Sequence, residues 1–365
     1  MRDSEAPLER ITARAYKIPT EQPESDGTLE WDSTTLVVVH AHAGGRRGMG
    51  FSYADTAAAR LVEERLARHL QGGDAFATAA CWDEMVRQVR NLGAPGSCSM
   101  AISAVDSALW DLKAKLLDVP LVSLLGQARR RVPVYGSGGF TSYSVPELER
   151  QLGGWAAEGL RWVKMKIGRQ PEQDVQRVSA VRDTIGGGPG IFVDANGAYS
   201  RKQALRQAEA LAALGVTWYE EPVSSEDLRG LALLRGRVPP GMELSAGEYG
   251  YDSVYFRRMC AAGAVDVLQA DATRCKGITG FMRAAAVADA FLLPLSSHCA
   301  PSLHLHPCCA APRVRHMEYF HDHVRIEHML FDGALSPVSG EIEPDLGRPG
   351  LGLELKEKDA QRFAV

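Results

Sequence analysis

Trp162-Val163-Lys164-Met165-Lys166 is a short apolar run that ends on a charge, and the same pattern returns down the chain. Ile191-Phe192-Val193 leads into Asp194, Thr217-Trp218-Tyr219 into Glu220, and Leu244-Ser245-Ala246-Gly247 into Glu248. Val267-Leu268-Gln269-Ala270 leads into Asp271, and the run from Leu292 to Ser297 leads into His298. From Lys166 to His298 these ionisable residues are spaced by 28, 26, 28, 23 and 27 residues. A strand, a helix and two short connections take up roughly 25 residues. One ionisable side chain per unit, always at the carboxyl end of the strand, predicts an α/β fold: a (β/α)8-type barrel whose working face is the C-terminal end of its strands.

Working outward, the alternation begins at Val132. Val132 to Tyr135 reads as the first strand, Arg161 to Ile167 as the second, and His316 to Phe320 as the eighth. A helix over Pro171 to Ile185 is stopped by Gly186-Gly187-Gly188-Pro189-Gly190. The barrel is therefore placed at residues 132–330, and a Pro- and Gly-rich segment without further β/α units follows at 331–365. Residues 1–131 have a different rhythm. Strands are expected at 8–18 and 34–42, with a polar, mobile loop from Pro19 to Asp32 between them. A second loop is expected over Ala43 to Phe51, and helices over 55–69, 77–90 and 100–117. Two strands followed by helices make an α+β domain. The Gly-rich stretches at 186–190 and 136–139 lack the G-K-[ST] ending or the G-x-G-x-x-G spacing of phosphate cradles, and read as connections.

Composition narrows the function. A formal net charge of −4 argues against nucleic acid or an anionic membrane as the main partner. No apolar run approaches the roughly 20 residues that span a bilayer. The first 30 residues lack the apolar core of a signal peptide, so a cytoplasmic location is expected. The seven scattered cysteines read as buried apolar residues or free thiols, and Cys308-Cys309 lacks the spacing of a zinc site.

The strand tips carry the chemistry. Asp194, Glu220 and Glu248 end three consecutive strands, and three carboxylates aimed at one volume repel unless a cation lies between them. A single acid at a strand end commonly caps the following helix; three in consecutive units point to a metal. Oxygen ligands select a hard ion such as Mg2+, whereas zinc would want His or Cys. Of Glu220 and Glu221, only one should face the metal. Lys164 and Lys166 share one face of their strand, so that face is catalytic or wet rather than core; the bland alternative is a pair exposed at the strand's edge. Mutual repulsion and the metal are expected to lower the lysine pKa, which suits Lys166 to take a proton. Asp271 and His298 end adjacent strands, close enough for the carboxylate to fix the imidazole tautomer. Seven of the ten histidines lie between 298 and 328, so His298 stands out by register alone. His304, His306, His321, His323 and His328 read as packing or surface residues. Glu318, at the eighth strand's end, is expected to face the site as a hydrogen-bond donor. A base, a metal and an acid/base thus converge where the α-proton of a small carboxylate could be removed.

These residues resemble the enolase superfamily, and within it the mandelate racemase subgroup. The K-x-K motif at Lys164 and Lys166, Asp194-Ala195-Asn196-Gly197, Trp218-Tyr219-Glu220-Glu221-Pro222, Ala246-Gly247-Glu248 and the Asp271–His298 pair carry the likeness. Residues 104–113 and Leu124-Leu125-Gly126 resemble the helix of its capping domain and the exit from it. The resemblance implies that residues 1–131 cap the barrel, that Pro19 to Asp32 and Arg46 to Tyr53 set specificity, and that the C-terminal segment returns to the cap. It also implies that Asn196 and Ser137 touch substrate, that Glu318 is an electrophilic acid, and that the protein forms a homo-oligomer, a dimer or octamer. Lys276 departs from the subgroup's usual glycine pair and is expected to be solvated rather than to reshape the pocket. The leading expectation is a Mg2+-dependent acid-sugar dehydratase: α-proton abstraction from an aldonate or aldarate, an enediolate, and loss of the β-hydroxyl to a 2-keto-3-deoxy acid. Racemisation or epimerisation of a 2-hydroxy acid at the same two bases is the alternative. A non-catalytic barrel kept for binding or structure is the rival of another class.

Overall fold

β1 (Arg10–Ser25), β2 (Glu30–Ala43) and β3 (Arg46–Tyr53) form an antiparallel sheet in that order. The computed structural model describes residues 6–365. Two segments differ from the sequence reading. The polar stretch 19–32 is mostly hairpin: Pro19 pairs with Ser33 and Glu24 with Trp31, across a register shift. β1 lies at the edge of the sheet, where a proline costs no ladder bond. The Asp26 carboxylate closes the turn by accepting the Thr28 and Leu29 N–H groups at 2.6 and 2.7 Å. The second expected loop is β3. Its glycines serve packing: a Cβ on Gly48 would lie 2.3 Å from the Ala108 carbonyl oxygen, and one on Gly50 would lie 2.2 Å from the Ala108 nitrogen. They let β3 press against the long helix Ser97–Leu116.

The barrel strands are β4 (Val132–Gly138), β5 (Trp162–Lys166), β6 (Gly190–Asp194), β7 (Val216–Glu220), β8 (Glu243–Ala246), β9 (Val267–Ala270), β10 (Leu295–Ser297) and β11 (Val314–Phe320). Each runs parallel to its neighbours, and β11 pairs with β4 to close the ring. Helices alternate with the strands from Val145–Ala157 to His321–Leu330 and cover the barrel, which is why the strands read as almost unbroken apolar runs. Ser144 with Glu147, and Ser200 with Gln203, form capping boxes that start two of these helices. Inside, Tyr135, Phe192, Trp218 and Val267 form a dry floor, with Phe192 5.3 Å from the Tyr135 ring and 5.1 Å from that of Trp218. The charged tips Lys166, Asp194 and Glu220 stand beyond this layer, at the carboxyl ends of their strands.

The helix Ser97–Leu116 binds sheet, barrel and tail together through two buried acids. Asp106 accepts the N–H and hydroxyl of Thr279 at 2.9 and 2.7 Å. Gly277, at φ 85°, leaves no room for a Cβ, which would lie 2.4 Å from the Asp106 carboxylate. Asp111 accepts the Met49 and Leu351 N–H groups at 2.7 and 2.6 Å and pairs with Lys115 at 2.9 Å. Lys276 is not solvated. It is 2% exposed, and its ammonium donates to the Tyr251 carbonyl at 2.6 Å, away from the cleft, because the cap covers the loop that carries it. At the C-terminus Glu341–Ile342 pairs with β4, and the Val365 N–H reaches the Ala15 carbonyl at 3.1 Å. Asp106→Ala leaves the half-buried donors of Thr279 unpaired and should lower the unfolding free energy by about 2 kcal/mol. Urea denaturation measures it, and a loss below about 1 kcal/mol would mean the contact is not a structural tie.

Candidate active site

Parallel register sets the tips level: Lys166 pairs with Asp194, and Asp194 with Glu220. Asp194, Glu220 and Glu248 are buried, and one oxygen from each lies within 4.8 Å of the others. Burial first, then Asp194, pushes the Glu220 carboxyl up to about 8. Burial, then Glu248, raises Glu221 well above the carboxylate range. Glu248 Oε2 and Asn196 Oδ1 are buried without a hydrogen bond among the described residues, although Glu248 Oε2 lies 3.3 Å from His298 Nε2. Crowded acids with unmatched oxygens fit a hard divalent cation. Glu221, at φ 37°, is not part of this trio.

Both lysines are buried, which sets aside the exposed-edge reading. Lys164 Nζ lies 2.7 Å from Glu220 and from Glu318, and Lys166 Nζ lies 2.5 Å from Asp194. Burial lowers the pKa of each, but the carboxylates outweigh it, Glu220 for Lys164 and Asp194 for Lys166, so both are raised. The expected depression from lysine–lysine repulsion is thus not what this arrangement gives, since the neighbouring acids act more strongly on each ammonium than the second lysine does.

His298 Nδ1 lies 2.7 Å from Asp271 Oδ2, which leaves Nε2 facing the cleft. Burial opposes the charge on both; Glu248 and then Asp271 outweigh it for His298, which is raised, and His298 outweighs it for Asp271, which is lowered. His304 holds the dyad from behind. Its Nε2 accepts the Ala272 N–H at 2.8 Å and its Nδ1 donates to the Cys299 carbonyl at 2.9 Å, a neutral imidazole with both nitrogens used.

Glu318 departs from its expected role as a donor. It accepts from Ser137 Oγ at 2.6 Å, Lys164 Nζ at 2.7 Å and the Cys299 N–H at 2.7 Å. Burial raises its pKa, but Lys164 and His298 bring it well below the carboxylate range. Ser137 spends its hydroxyl on Glu318 and does not line the cleft, whereas Asn196 does.

A cleft of about 420 Å³ lies over the tips, between barrel and cap. Lys166, Asn196, Glu248 and His298 line it from below; Asp26, Leu29, Trp31 and Tyr53 line it from the cap. Arg274 and Cys299 also line it without a role assigned from sequence, and so does His323, which the sequence reads as a packing or surface residue. Arg274 Nη1 lies 3.1 Å from Glu248 Oε1, and Cys299 Sγ lies 3.3 Å from His298 Nε2. His323 stacks on Tyr53 with ring centroids 3.3 Å apart. Two of these had a legible signal: Arg274 follows the Asp271 tip by three residues and Cys299 follows His298 by one, so both fall on the barrel's top face.

Comparison with known proteins places this arrangement. A family model described as the mandelate racemase/muconate lactonizing enzyme N-terminal domain matches residues 12–126, and one described as enolase C-terminal domain-like matches 147–360. A mandelate racemase/muconate lactonizing enzyme-like protein from Rubrobacter xylanophilus superposes with TM-score 0.96 at 52% identity, covering 98% of this chain and 100% of that one. A 3,6-anhydro-alpha-L-galactonate cycloisomerase of Streptomyces coelicolor is 32% identical over 98% of this chain and 99% of its own length. An L-talarate dehydratase from Polaromonas, solved with Mg and L-glucarate, has TM-score 0.89 at 29% identity, covering 99% of this chain and 98% of that one.

Proposed function

Since the chain belongs to the mandelate racemase/muconate lactonizing enzyme family of the enolase superfamily, we propose that it removes the α-proton of a sugar acid and expels the oxygen on its β-carbon. One observation carries the reading. Lys166 and His298 reach a single cleft from β5 and from the end of β10, with Asp194, Glu220 and Glu248 between them. The trio would hold Mg2+, which supplies positive charge to the substrate carboxylate as its second negative charge develops. Relatives solved with magnesium support that choice of ion.

Lys166 is the group placed to take the α-proton. Burial already favours its neutral amine, and the oxygen that opposes this belongs to Asp194, one of the proposed ligands. His298, held in one tautomer by Asp271, presents Nε2 to the same cleft and hands a proton to the leaving oxygen. If the departing group is a hydroxyl, water is lost and a 2-keto-3-deoxy acid results. If it is a ring ether, as the 3,6-anhydro bridge named for the Streptomyces relative would place on the β-carbon, it stays tethered and the product is an isomer. Dehydratases and cycloisomerases among the relatives both support elimination. The same two groups could instead exchange the proton between faces, which is racemisation.

The test is a library of aldonates, aldarates and anhydro-aldonates incubated with Mg2+ and scored for 2-keto acid. At least one should turn over, with Lys166→Ala and His298→Asn inactive. A C2 epimer without 2-keto acid would replace elimination by racemisation. No solvent deuterium at the α-carbon of any acid, with metal bound, would leave only a non-catalytic barrel.

A further inference from the structure

The two walls of the cleft differ in charge. Every cation that lines it sits on the barrel side beside an acid: Lys166 by Asp194 at 2.5 Å, Arg274 by Glu248 at 3.1 Å, His298 by Asp271 at 2.7 Å. The cap side carries two carboxylates, Asp26 and Asp55, and neither has an ion-pair partner among the described residues. Their oxygens take only hydrogen bonds from nearby turns, Asp26 from Thr28 and Leu29, and Asp55 from Ala57 and the Thr56 hydroxyl. Cations near this wall are already held outside the cleft. Arg169 pairs with Glu30 at 3.1 Å and Arg325 with Asp322 at 2.5 Å. His323, a barrel residue that stacks on Tyr53 at this wall, accepts the Ala300 N–H on Nδ1 at 3.3 Å, as a neutral ring does.

From this asymmetry we infer that the substrate is a monocarboxylic sugar acid with an uncharged, hydroxylated tail, an aldonate or anhydro-aldonate, and that aldarates are rejected. The inference rests on the reading above, in which one carboxylate lies at the barrel tips. The carbon chain then extends towards the cap. A diacid would bring its second carboxylate against the buried Asp26 and the exposed Asp55 with no cation to receive it, and like charges so placed repel. Hydroxyl groups meet the same oxygens as acceptors, and Trp31 and Phe320 offer apolar faces to the C–H groups between them.

The experiment uses matched pairs: each aldonate and the aldarate that carries a carboxyl at its far carbon, assayed with the Mg2+-loaded full-length protein. The expected result is a kcat/KM at least about a hundredfold higher for the aldonate of the reactive pair. In Asp26→Asn/Asp55→Asn, which keeps the acceptor oxygens that hold both turns, that ratio should narrow by about tenfold or more. Equal turnover of both acids, or preference for the diacid, overturns the inference and leaves α-proton abstraction standing. An unchanged ratio in the double variant overturns the assignment of rejection to these two carboxylates. Failure of every acid in both series overturns the proposed reaction, and this inference with it.

Discussion

Replacing Lys166 by alanine is expected to lower kcat about a thousandfold on any acid the protein turns over, because a positioned general base contributes about 10²–10⁴. The ammonium is buried and lies 2.5 Å from Asp194, so the same change also removes a charge that competes with a cation for that carboxylate. Magnesium affinity should therefore hold or rise while turnover collapses. That pairing separates loss of the base from damage to the metal site. Calorimetric titration of Mg2+ into the variant, beside its kcat, measures both. A fall in kcat of less than tenfold would assign the α-proton to another group, with His298 the next candidate, since its Nε2 faces the same cleft.

Glu248→Gln should act in the opposite sense. Glu248 Oε2 is buried without a hydrogen bond, and its other oxygen lies 3.1 Å from Arg274, so the carboxylate has one lone oxygen to offer a metal. Neutralising one of three anionic ligands should weaken Mg2+ binding by at least on the order of a hundredfold and remove activity at millimolar Mg2+. Ligand binding to the native state raises the melting temperature. Added Mg2+ should stabilise the unaltered protein against heat and leave the variant's melting unchanged. If the variant is stabilised as strongly as the parent, the ion sits elsewhere. Arg274 then keeps a counter-charge in Asp271, 3.7 Å away, so loss of Glu248 leaves no isolated buried cation to confuse the comparison.

The barrel and its ring of charged tips could be read before any coordinates, because both depend on local repetition. A β/α unit has a nearly constant length, and a residue at the end of a strand keeps that place whatever surrounds it. The helix Pro171–Ile185 was equally plain, with a proline to start it and a run of glycines to stop it. The cap was harder. Pro19 to Asp32 and the glycines before Phe51 carry every local mark of loops, yet apart from the turn at 26–29 they are strands. What made them strands is pairing with distant partners and the close approach of Ser97–Leu116, which only glycine at 48 and 50 permits.

Where each unit puts its charge, and hence the kind of chemistry, was written in the order of residues. What each charge feels was not. Lys164 and Lys166 stand two residues apart, and the sequence predicts that their repulsion and a nearby metal each lower their pKa. In the folded molecule Glu220 and Glu318 close around one and Asp194 around the other, and the sign of both pKa shifts reverses. Glu318 turns from expected donor to triple acceptor, Ser137 is taken up behind it, and Lys276 is buried under the cap. Electrostatic energy falls with distance through space, and these partners lie tens to hundreds of residues away along the chain. The acidic cap wall of the cleft exists for the same reason: Asp26 and Asp55 meet the barrel tips only because folding lays one part of the chain over another.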